Sequence, residues 1–344
     1  MSGEPPAPDW DQLGFNLTAT DAVYRAAGDA EAEPVWGADE FLPFGGVALS
    51  PAAAALSYGL GVFEGMKAER AADGRILLFR PEENARRLQR SAALFAMPPF
   101  PEDRFLRAVT GIVRRNERFI PPAGKGTLYI RPIELASEPM LGLRPAKRFE
   151  LLIYASPVGA YFRSDAKGLR LRALECGRVA PGGSGAAKAM GNYPSGIMAR
   201  TRWQREGYDD VLYLDARHRR YVTETSGSNV FARLRSGVLV TPRLDDQILP
   251  GITRASVIEL ARSELGWPVE ERDLAIDEVM DDAVEVFCTG TAWTVRSVGE
   301  IDTGRRAAAF PDESARRRIL TRLRGIQSGA GADDRGWSHE VAPE

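Results

Sequence analysis

The chain has 344 residues, of which 44% are hydrophobic and 27% charged, a composition typical of a globular protein large enough for two domains. Its formal net charge of −2 argues against a general affinity for nucleic acid or an anionic membrane, and no apolar run approaches the ~20 residues of a membrane-spanning helix. The two cysteines and two histidines offer neither a disulfide framework nor the spacing of a metal site, so no metal is predicted.

Strands and helices are mixed in the first half of the chain. ILLF (76–79) predicts a short strand, and Pro81 then opens a helix that runs to about residue 95 with one apolar face. Two longer strands are predicted at TLYIRPIEL (127–135) and FELLIYASPV (149–158).

The second half of the chain is richer in strands. Strands are predicted at LRLRALE (169–175), DVLYLDA (210–216), RYVTE (220–224), NVFARL (229–234) and LVTP (239–242), with one helix at 254–265. We therefore predict an α/β (α+β) fold in two domains. The expected divisions are a loose N-terminus (1–15), a small α/β domain (16–155), a linker (156–168), a larger β-rich domain (169–325) and a loose tail (326–344).

The stretch GGSGAAKAMGNY (182–193) surrounds a single lysine, Lys188, with small residues. Bare backbone of this kind lets a flat cofactor approach, and a lysine ε-amine can form a Schiff base with a carbonyl partner. The alternative is a flexible glycine-rich loop that carries a solvated lysine.

Four other stretches suggest ligand contacts, and each also has an ordinary structural interpretation. Glu224 ends a strand before small residues, and it is either a ligand contact or a solvated acid. ILPGITR (248–254) opens a helix, where backbone N–H groups suit a phosphate, although Thr253 could be an ordinary helix cap. FCTGTA (287–292) is a tight turn with hydroxyls and exposed amides. Alternation places Tyr129 and Arg131 on one side of their strand, either as a binding pair or as a surface pair.

Nucleotide-binding motifs are absent from the sequence. There is no P-loop, and the glycines at 59 and 61 do not continue as a dinucleotide fingerprint, because Glu64 stands where the third glycine would be needed.

Taken in order, eight motifs resemble the branched-chain amino acid aminotransferases, which are fold-type IV (class IV) enzymes dependent on pyridoxal 5′-phosphate. The motifs are YGLGVFEGMKA (58–68), LLFRPEENARRLQRSA (77–92), GKGTLYIRP (124–132), APGGSGAAKAMGNY (180–193), DDVLYLDA (209–216), ILPGITR (248–254), VEERD (269–273) and EVFCTGTA (285–292). The resemblance covers most of the chain and implies that the larger domain is a β-rich pseudo-barrel.

The resemblance also implies a role for individual residues. Lys188 matches the Schiff-base lysine, Glu224 the acid at the pyridine nitrogen, and Tyr193 the tyrosine at the phenolic oxygen. The cofactor phosphate is matched by Arg87, Ile252, Thr253 and Thr291. The substrate pocket is matched by Tyr58, Phe63, Tyr129, Arg131, Tyr161, Thr291 and Ala292, with Leu141 and Leu143 on a loop that reaches across from a partner subunit.

Some residues depart from the family pattern. Relatives usually have an apolar pair and a glycine after the LYxRP strand, where this chain has Ile133, Glu134, Leu135 and Ala136, and Ser57 replaces a frequent His or Asn. A glutamate that faced the pocket would favour a cationic or hydroxylated substrate. Alternation predicts that Glu134 points to the other face from Tyr129 and Arg131, although Pro132 could bend the strand.

The resemblance implies transamination between a branched-chain L-amino acid and 2-oxoglutarate, in a homodimer or larger homo-oligomer. Three alternatives stay open at this point: an aminotransferase for a polar amino acid, a class IV lyase or D-amino acid transaminase, and a cofactor-free binding protein. The acidic, proline-rich start of the sequence shows no signal pattern, which predicts a cytoplasmic protein.

Overall fold

A computed structural model describes residues 8–159 and 168–342. The strands are β1 (Ala22–Asp29), β2 (Glu40–Pro43), β3 (Gly61–Phe63), β4 (Met66–Arg70), β5 (Ile76–Phe79), β6 (Thr127–Ala136), β7 (Arg148–Val158), β8 (Leu169–Leu174), β9 (Asp210–Leu214), β10 (Val222–Thr225), β11 (Asn229–Leu234), β12 (Leu239–Pro242), β13 (Val269–Arg272), β14 (Ala283–Gly290), β15 (Thr294–Asp302), β16 (Ala307–Ala309) and β17 (Ser338–Glu340). The α-helices are α1 (Ala54–Tyr58), α2 (Pro81–Leu94), α3 (Glu102–Arg115), α4 (Tyr193–Gln204), α5 (Ile252–Ser263), α6 (Ile276–Asp282) and α7 (Ser314–Gln327).

The described chain divides into two compact units. Unit 1 comprises residues 8–159, 187–191 and 324–342, and unit 2 comprises residues 168–186 and 192–323. None of the helices in the described part of the chain is both long and apolar enough to cross a membrane.

Unit 1 is built on one eight-stranded sheet. Its strand order is β17-β5-β4-β6-β7-β1-β2, with β3 paired to β6. Helices α2 and α3 bury their apolar sides in the core of this unit, which contains Ala85, Leu88 and Ala92 of α2 and Phe105, Val109 and Ile112 of α3. The spacing of these residues, three or four apart along each helix, gives each helix one apolar face.

Unit 2 contains a barrel-like sheet. Six strands, β10-β9-β8-β15-β14-β11, form a ring, because β10 pairs with β11 as well as with β9. Strands β12 and β13 extend the sheet from β11, and β16 pairs with β15. All five residues of β9 and all four of β10 are buried, as expected of strands that are covered on both faces.

The sequence predicted ten of these 24 strands and α-helices. The predicted strands at 76–79, 127–135, 149–158 and 229–234 correspond to β5, β6, β7 and β11, and the predicted helix that starts at Pro81 is α2. Helix α5 begins two residues earlier than predicted, at Ile252. The mixed α/β class with a strand-rich second half is therefore confirmed.

Both ends of the chain differ from the loose termini that the sequence predicted. Within the segment 326–344, β17 pairs antiparallel with β5, and Trp337 and Val341 are buried. Near the N-terminus, the ring of Phe15 packs edge-on against Tyr129 at 5.2 Å. These contacts are made between segments far apart in sequence, so local composition did not reveal them.

The predicted linker and the predicted domain of Lys188 also differ from the structure. Residues 156–158 of the predicted linker belong to β7, and residues 160–167 lie outside the described part of the chain. Lys188 was expected in the larger domain, but residues 187–191 group with unit 1. The reason is a backbone pairing with β3, described next.

Candidate active site

The backbone of Lys188 is held by β3 and α2. The N–H of Phe63 donates to the Lys188 carbonyl at 3.0 Å, and Val62 forms an isolated antiparallel bridge with Ala189. On the other side, the Lys188 N–H donates to the hydroxyl of Ser91 at 3.0 Å. The glycine-rich stretch therefore holds its lysine in place, which disagrees with the alternative of a flexible loop.

The side chain of Lys188 lies among predicted substrate residues. Its Nζ is 4.6 Å from the centre of the Phe63 ring. The guanidinium of Arg131 is 4.9 Å from the same ring centre and 5.2 Å from that of Tyr129, and its Nη2 donates to the Tyr129 hydroxyl at 3.1 Å. The structure thus brings together four of the residues that the sequence singled out.

The Tyr129 side chain packs closely against the backbone of Gly65. A Cβ at Gly65 would lie 2.1 Å from the Tyr129 hydroxyl oxygen, far inside contact distance. Only a residue without a side chain fits there.

Arg87 is buried and bound by a glutamate. Its Nε donates to Glu64 Oε1 at 2.7 Å and its Nη2 donates to Oε2 at 2.8 Å, while Asn84 donates to Oε2 at 2.7 Å. Burial opposes the ionisation of Glu64, but the guanidinium of Arg87 and the charge of Lys188 outweigh it, so the pKa of Glu64 lies below its usual value. Glu64 thus occupies the Nε/Nη2 edge of Arg87, and this edge is not available to a phosphate.

Three other predicted substrate residues lie at the surface of unit 1. The Tyr58 side chain is 44% exposed, and Leu141 and Leu143 are 89% and 86% exposed. The hydroxyl of Tyr58, at the end of α1, donates to the carbonyl of Leu141, which ties the two segments together. Tyr161 lies outside the described residues.

In unit 2, Glu224 is fixed by an arginine. Glu224 lies on β10 and is 4% exposed. Arg178 donates to its Oε1 from Nε at 2.7 Å and from Nη2 at 2.6 Å, and the N–H of Leu249 lies 3.4 Å from its Oε2. A carboxylate held in this way stays in one orientation and presents a fixed negative charge, unlike a solvated acid at a strand end.

The remaining predicted contacts in unit 2 lie at element ends. Ile252 and Thr253 form the first turn of α5 behind Gly251, and this turn contains no acidic residue, so its N–H groups suit an anion. Tyr193 is the first residue of α4 and is partly buried. Thr291 and Ala292 lie in the short turn between β14 and β15.

Sequence reasoning missed four polar residues that hold the predicted ones. Glu64, Asn84 and Ser91 support Arg87 and Lys188, and Arg178 supports Glu224. A signal was available for two of them. Asn84, Arg87 and Ser91 stand at positions i, i+3 and i+7 of the predicted helix, a polar stripe beside its apolar face. Arg178 carries no comparable local signal.

Comparison with known proteins identifies the family. The class IV amino-transferase family matches residues 61–301. The chain is 41% identical over 338 residues to the chloroplastic branched-chain-amino-acid aminotransferase 5 of Arabidopsis thaliana, covering 97% of this chain and 80% of that protein. It is 43% identical over 341 residues to the mitochondrial branched-chain amino acid aminotransferase 1 of Humulus lupulus, covering 98% and 86%.

A solved structure agrees with the sequence matches. The branched-chain amino acid aminotransferase of Thermobaculum terrenum, in its PLP (holo) form, superposes with a TM-score of 0.78 at 26% identity, covering 94% of this chain and 99% of that one. The predicted fold-type IV class and the predicted cofactor, pyridoxal phosphate, are confirmed by these relatives.

One prediction is wrong. The sequence was interpreted as that of a cytoplasmic protein, but the two plant relatives are named as chloroplastic and mitochondrial proteins. The absence of a signal pattern was therefore not a sound basis for assigning a compartment. The matches in sequence and in structure agree on the chemistry, and the chain belongs to the class IV aminotransferase family, whose enzymes use pyridoxal phosphate.

Proposed function

We propose that this aminotransferase moves the amino group between a branched-chain L-amino acid and 2-oxoglutarate, with pyridoxal phosphate bound to Lys188. One observation carries the proposal: Lys188 Nζ lies against the Phe63 ring, beside the Tyr129–Arg131 pair. An amine held over an aromatic ring is well placed to meet the carbonyl group of a flat ligand.

The residues present fit the cofactor. In unit 1, Lys188 offers an amine and Arg87 a buried guanidinium for a phosphate. In unit 2, the fixed carboxylate of Glu224 suits a protonated ring nitrogen, Tyr193 a phenolic oxygen, and Ile252, Thr253 and Thr291 further phosphate contacts. When bound, pyridoxal phosphate supplies an electron sink that stabilises negative charge at the substrate Cα.

The chain's own groups then perform the remaining work. Nζ of Lys188 would accept the proton from the substrate Cα and deliver it to the former aldehyde carbon, C4′, of the cofactor rather than back to Cα, so that the amino group stays behind when the 2-oxo acid leaves. Arg178 holds the Glu224 carboxylate in one orientation, so that it would face a positively charged ring nitrogen without having to reorient. The amides of the Thr291–Ala292 turn hold the substrate carboxylate.

The substrate side chain is expected to be apolar. Phe63, Tyr58, Tyr129, Leu141 and Leu143 supply aromatic and aliphatic surface, and each buried methylene contributes about 0.8 kcal/mol. Glu134 does not alter this surface. Along β6 the residues Tyr129, Arg131 and Ile133 are partly exposed, whereas Glu134 alternates with them and is fully buried. The alternative of a polar or cationic substrate therefore lacks the acid on which it rested.

The remaining alternatives differ in what they require. A cofactor-free binding protein has no need of buried, paired charges such as Glu64–Arg87 and Arg178–Glu224, which cost desolvation. A class IV lyase or D-amino acid transaminase would release pyruvate or use D-amino acids, so a panel of donors and acceptors separates it from the proposal.

The central experiment is that panel, run on wild type and on Lys188→Ala. We expect wild type to use leucine, isoleucine and valine with 2-oxoglutarate, and Lys188→Ala to be inactive and to form no adduct with the cofactor on borohydride reduction. Lys125→Ala is the matched control, because Lys125 is an exposed lysine of unit 1 whose ion pair with Asp11 lies at the surface. Full activity of Lys188→Ala would overturn the proposal.

The proposed role of Glu224 has its own test. Glu224→Gln should retain the cofactor but turn over about a hundredfold more slowly, because the ring nitrogen loses its anionic partner. An unchanged rate would show that another group holds that nitrogen.

Substrate choice is tested by comparing kcat/KM for leucine, isoleucine and valine with that for ornithine, arginine and homoserine. Wild type and Glu134→Leu should both prefer the apolar donors, since Glu134 lies on the core face of β6. A cationic preference in wild type that Glu134→Leu reverses would contradict the branched-chain assignment.

We also propose a homodimer or larger homo-oligomer. Support comes from the exposure of Leu141 and Leu143 next to Tyr58, since apolar side chains presented together are typical of an interface. Sedimentation should give a dimer or larger species, and Leu141→Asp with Leu143→Asp should shift it toward monomer with loss of activity. An active wild-type monomer at working concentration would refute this.

A further inference from the structure

Helix α2 carries a buried polar stripe beside its apolar one. Ala85, Leu88 and Ala92 pack into the core of unit 1, while Asn84, Arg87 and Ser91 are almost equally inaccessible, at 3%, 4% and 1% exposure. Buried polar groups are costly unless they are hydrogen-bonded. The partners of this stripe include the carboxylate of Glu64 and the backbones of Gly65 and Lys188.

Glu64 binds Arg87 in a way that restricts its guanidinium. Both carboxylate oxygens accept from one edge, Nε at 2.7 Å and Nη2 at 2.8 Å, and such two-point contacts fix the plane of a guanidinium as well as its position. Glu64 is itself fixed, since Asn84 and the N–H of Gly65 donate to its Oε2 at 2.7 Å and 3.2 Å. Glu64 thus occupies the Nε/Nη2 edge of Arg87, and a phosphate bound by this guanidinium would meet its other edge, formed by Nη1 and the second N–H of Nη2.

The charge on Glu64 is shared between two cations. It is a fully buried carboxylate whose ionised form is favoured by Arg87 and by Lys188. These are the two positive residues of unit 1 to which the proposed function assigns the cofactor. Glu64 itself makes no proposed contact with the cofactor, so any effect it has on cofactor binding must pass through them.

We propose that Glu64 is a positioning residue that orients the guanidinium of Arg87 for the phosphate of the cofactor. The inference rests on the proposed function, because it takes Arg87 as a phosphate contact. It makes a specific demand: loss of the Glu64 charge should weaken binding of the phosphate end of the cofactor more than binding of the aldehyde end, because Glu64 hydrogen-bonds Arg87 but acts on Lys188 only through its charge.

The test compares two ligands that differ only in the phosphate, pyridoxal 5′-phosphate and pyridoxal. Both are titrated into cofactor-free full-length protein. The dissociation constant of pyridoxal divided by that of pyridoxal 5′-phosphate measures how much the phosphate contributes to binding. Glu64→Gln keeps the size of the side chain and removes its charge. We expect it to lower that ratio about tenfold or more, because hydrogen bonds to charged groups are lost, with little change for pyridoxal.

The matched control is Glu134→Gln, an equally buried glutamate on the neighbouring strand that does not contact Arg87 among the described residues. It should leave the ratio unchanged. In an Arg87→Met background, Glu64→Gln should have no further effect on the ratio, since the residue it acts through is gone.

Other outcomes overturn the inference in distinguishable ways. Equal weakening of both ligands by Glu64→Gln would mean that Glu64 acts on Lys188 or on the local structure and does not orient Arg87, and tighter phosphate binding would mean that Glu64 repels the phosphate. If wild type binds neither ligand, the proposed function fails, and the inference fails with it. Should Glu64→Gln not fold, Asn84→Ala, which removes a neutral partner of Glu64, should lower the ratio in the same direction by a smaller factor.

Discussion

Two glutamates in unit 1 are equally buried in very different surroundings. Glu64 directly follows β3 and Glu134 lies on β6, and both are fully inaccessible to solvent. The carboxylate of Glu64 accepts hydrogen bonds from Arg87, Asn84 and Gly65. Neither carboxyl oxygen of Glu134 has a hydrogen-bond partner among the described residues.

The backbones that carry these two side chains are neighbours. Val62 on β3 pairs with Glu134, and the N–H of Glu64 donates to the carbonyl of Pro132 at 2.8 Å. On its other side Glu134 pairs with Leu151 of β7, so apolar residues flank it on both neighbouring strands. The two acids therefore differ although their strands are paired. The reason is that Asn84 and Arg87 of α2 hydrogen-bond the carboxylate of Glu64 and not that of Glu134.

The consequence is an opposite shift in pKa. Burial alone raises the pKa of Glu134 to about 8. The same burial acts on Glu64, but Arg87 and Lys188 outweigh it and the pKa is lowered. Burial therefore does not decide the charge of a carboxyl group; a cationic partner does.

The largest expected effect comes from removing the partner of Glu64. Arg87→Met turns Glu64 into a buried acid without a guanidinium, and should cost about 4 kcal/mol of unfolding free energy at neutral pH. Denaturant unfolding of the cofactor-free protein measures this. The double variant Arg87→Met, Glu64→Leu should recover most of the loss, because no charge then remains to be desolvated. A loss in the single variant that the double variant does not reduce would show that packing of Arg87, and not its charge, matters.

Replacing Glu134 should raise the unfolding free energy, whereas replacing Arg87 should lower it. Glu134→Leu substitutes an apolar side chain of similar size in an apolar environment, so it should stabilise the protein, and the gain should depend on pH. In the unfolded chain this glutamate releases its proton near its ordinary pKa of 4.5, whereas the folded chain holds the proton until about pH 8. Between these values the folded state binds more protons, so wild-type stability falls as pH rises.

This dependence can be measured as a difference. Relative to Glu134→Leu, wild type should lose stability at up to about 1.4 kcal/mol per pH unit between pH 4.5 and pH 8. Above pH 8 the difference should become constant. A difference that is flat from pH 5 to pH 9 would mean that Glu134 is ionised throughout, with a partner that the structure does not reveal.

The sequence correctly predicted the face of β6 on which Glu134 lies. Period-two alternation along β6 placed Glu134 on the opposite face from Tyr129 and Arg131, and the structure agrees despite Pro132, since β6 keeps an unbroken register with β7. Alternation is a property of the strand backbone, so a short stretch of sequence is enough to predict it.

The ion pair between Glu64 and Arg87 could not be predicted from the local sequence. Glu64 and Arg87 are 23 positions apart, and their pairing depends on how α2 packs on the sheet. The pairing of β17 with β5 and the approach of Arg178 to Glu224 are of the same kind. Such contacts between distant segments carry no local pattern, and the family resemblance pointed to Arg87 and Glu224 without pointing to the residues that hold them.

A partly exposed pair should show an intermediate effect. Arg25 donates to both oxygens of Glu150 across β1 and β7, but its side chain is 37% exposed, against 11% for Glu150. Arg25→Met should cost about 1 kcal/mol of unfolding free energy, because water replaces part of the lost interaction. Unfolding in denaturant at low and at high salt checks this, and a loss as large as that of Arg87→Met would show that burial of the carboxylate alone sets the cost.

The smallest effect is expected where neither partner is buried. Asp103 and Arg107 are one turn apart on α3, with side chains 68% and 63% exposed, and they form an ion pair at 2.8 Å. Arg107 is the member to change, because Asp103 lies in the first turn of α3 and also interacts with the helix dipole. Arg107→Gln keeps a good helix former, so it removes the ion pair with Asp103 without weakening the helix. Its unfolding midpoint should be indistinguishable from that of wild type in physiological salt, since both charges remain solvated when apart. A clear destabilisation would mean that short ion pairs stabilise this protein whether or not water reaches them, and the contrast between Glu64 and Glu134 would then need another explanation.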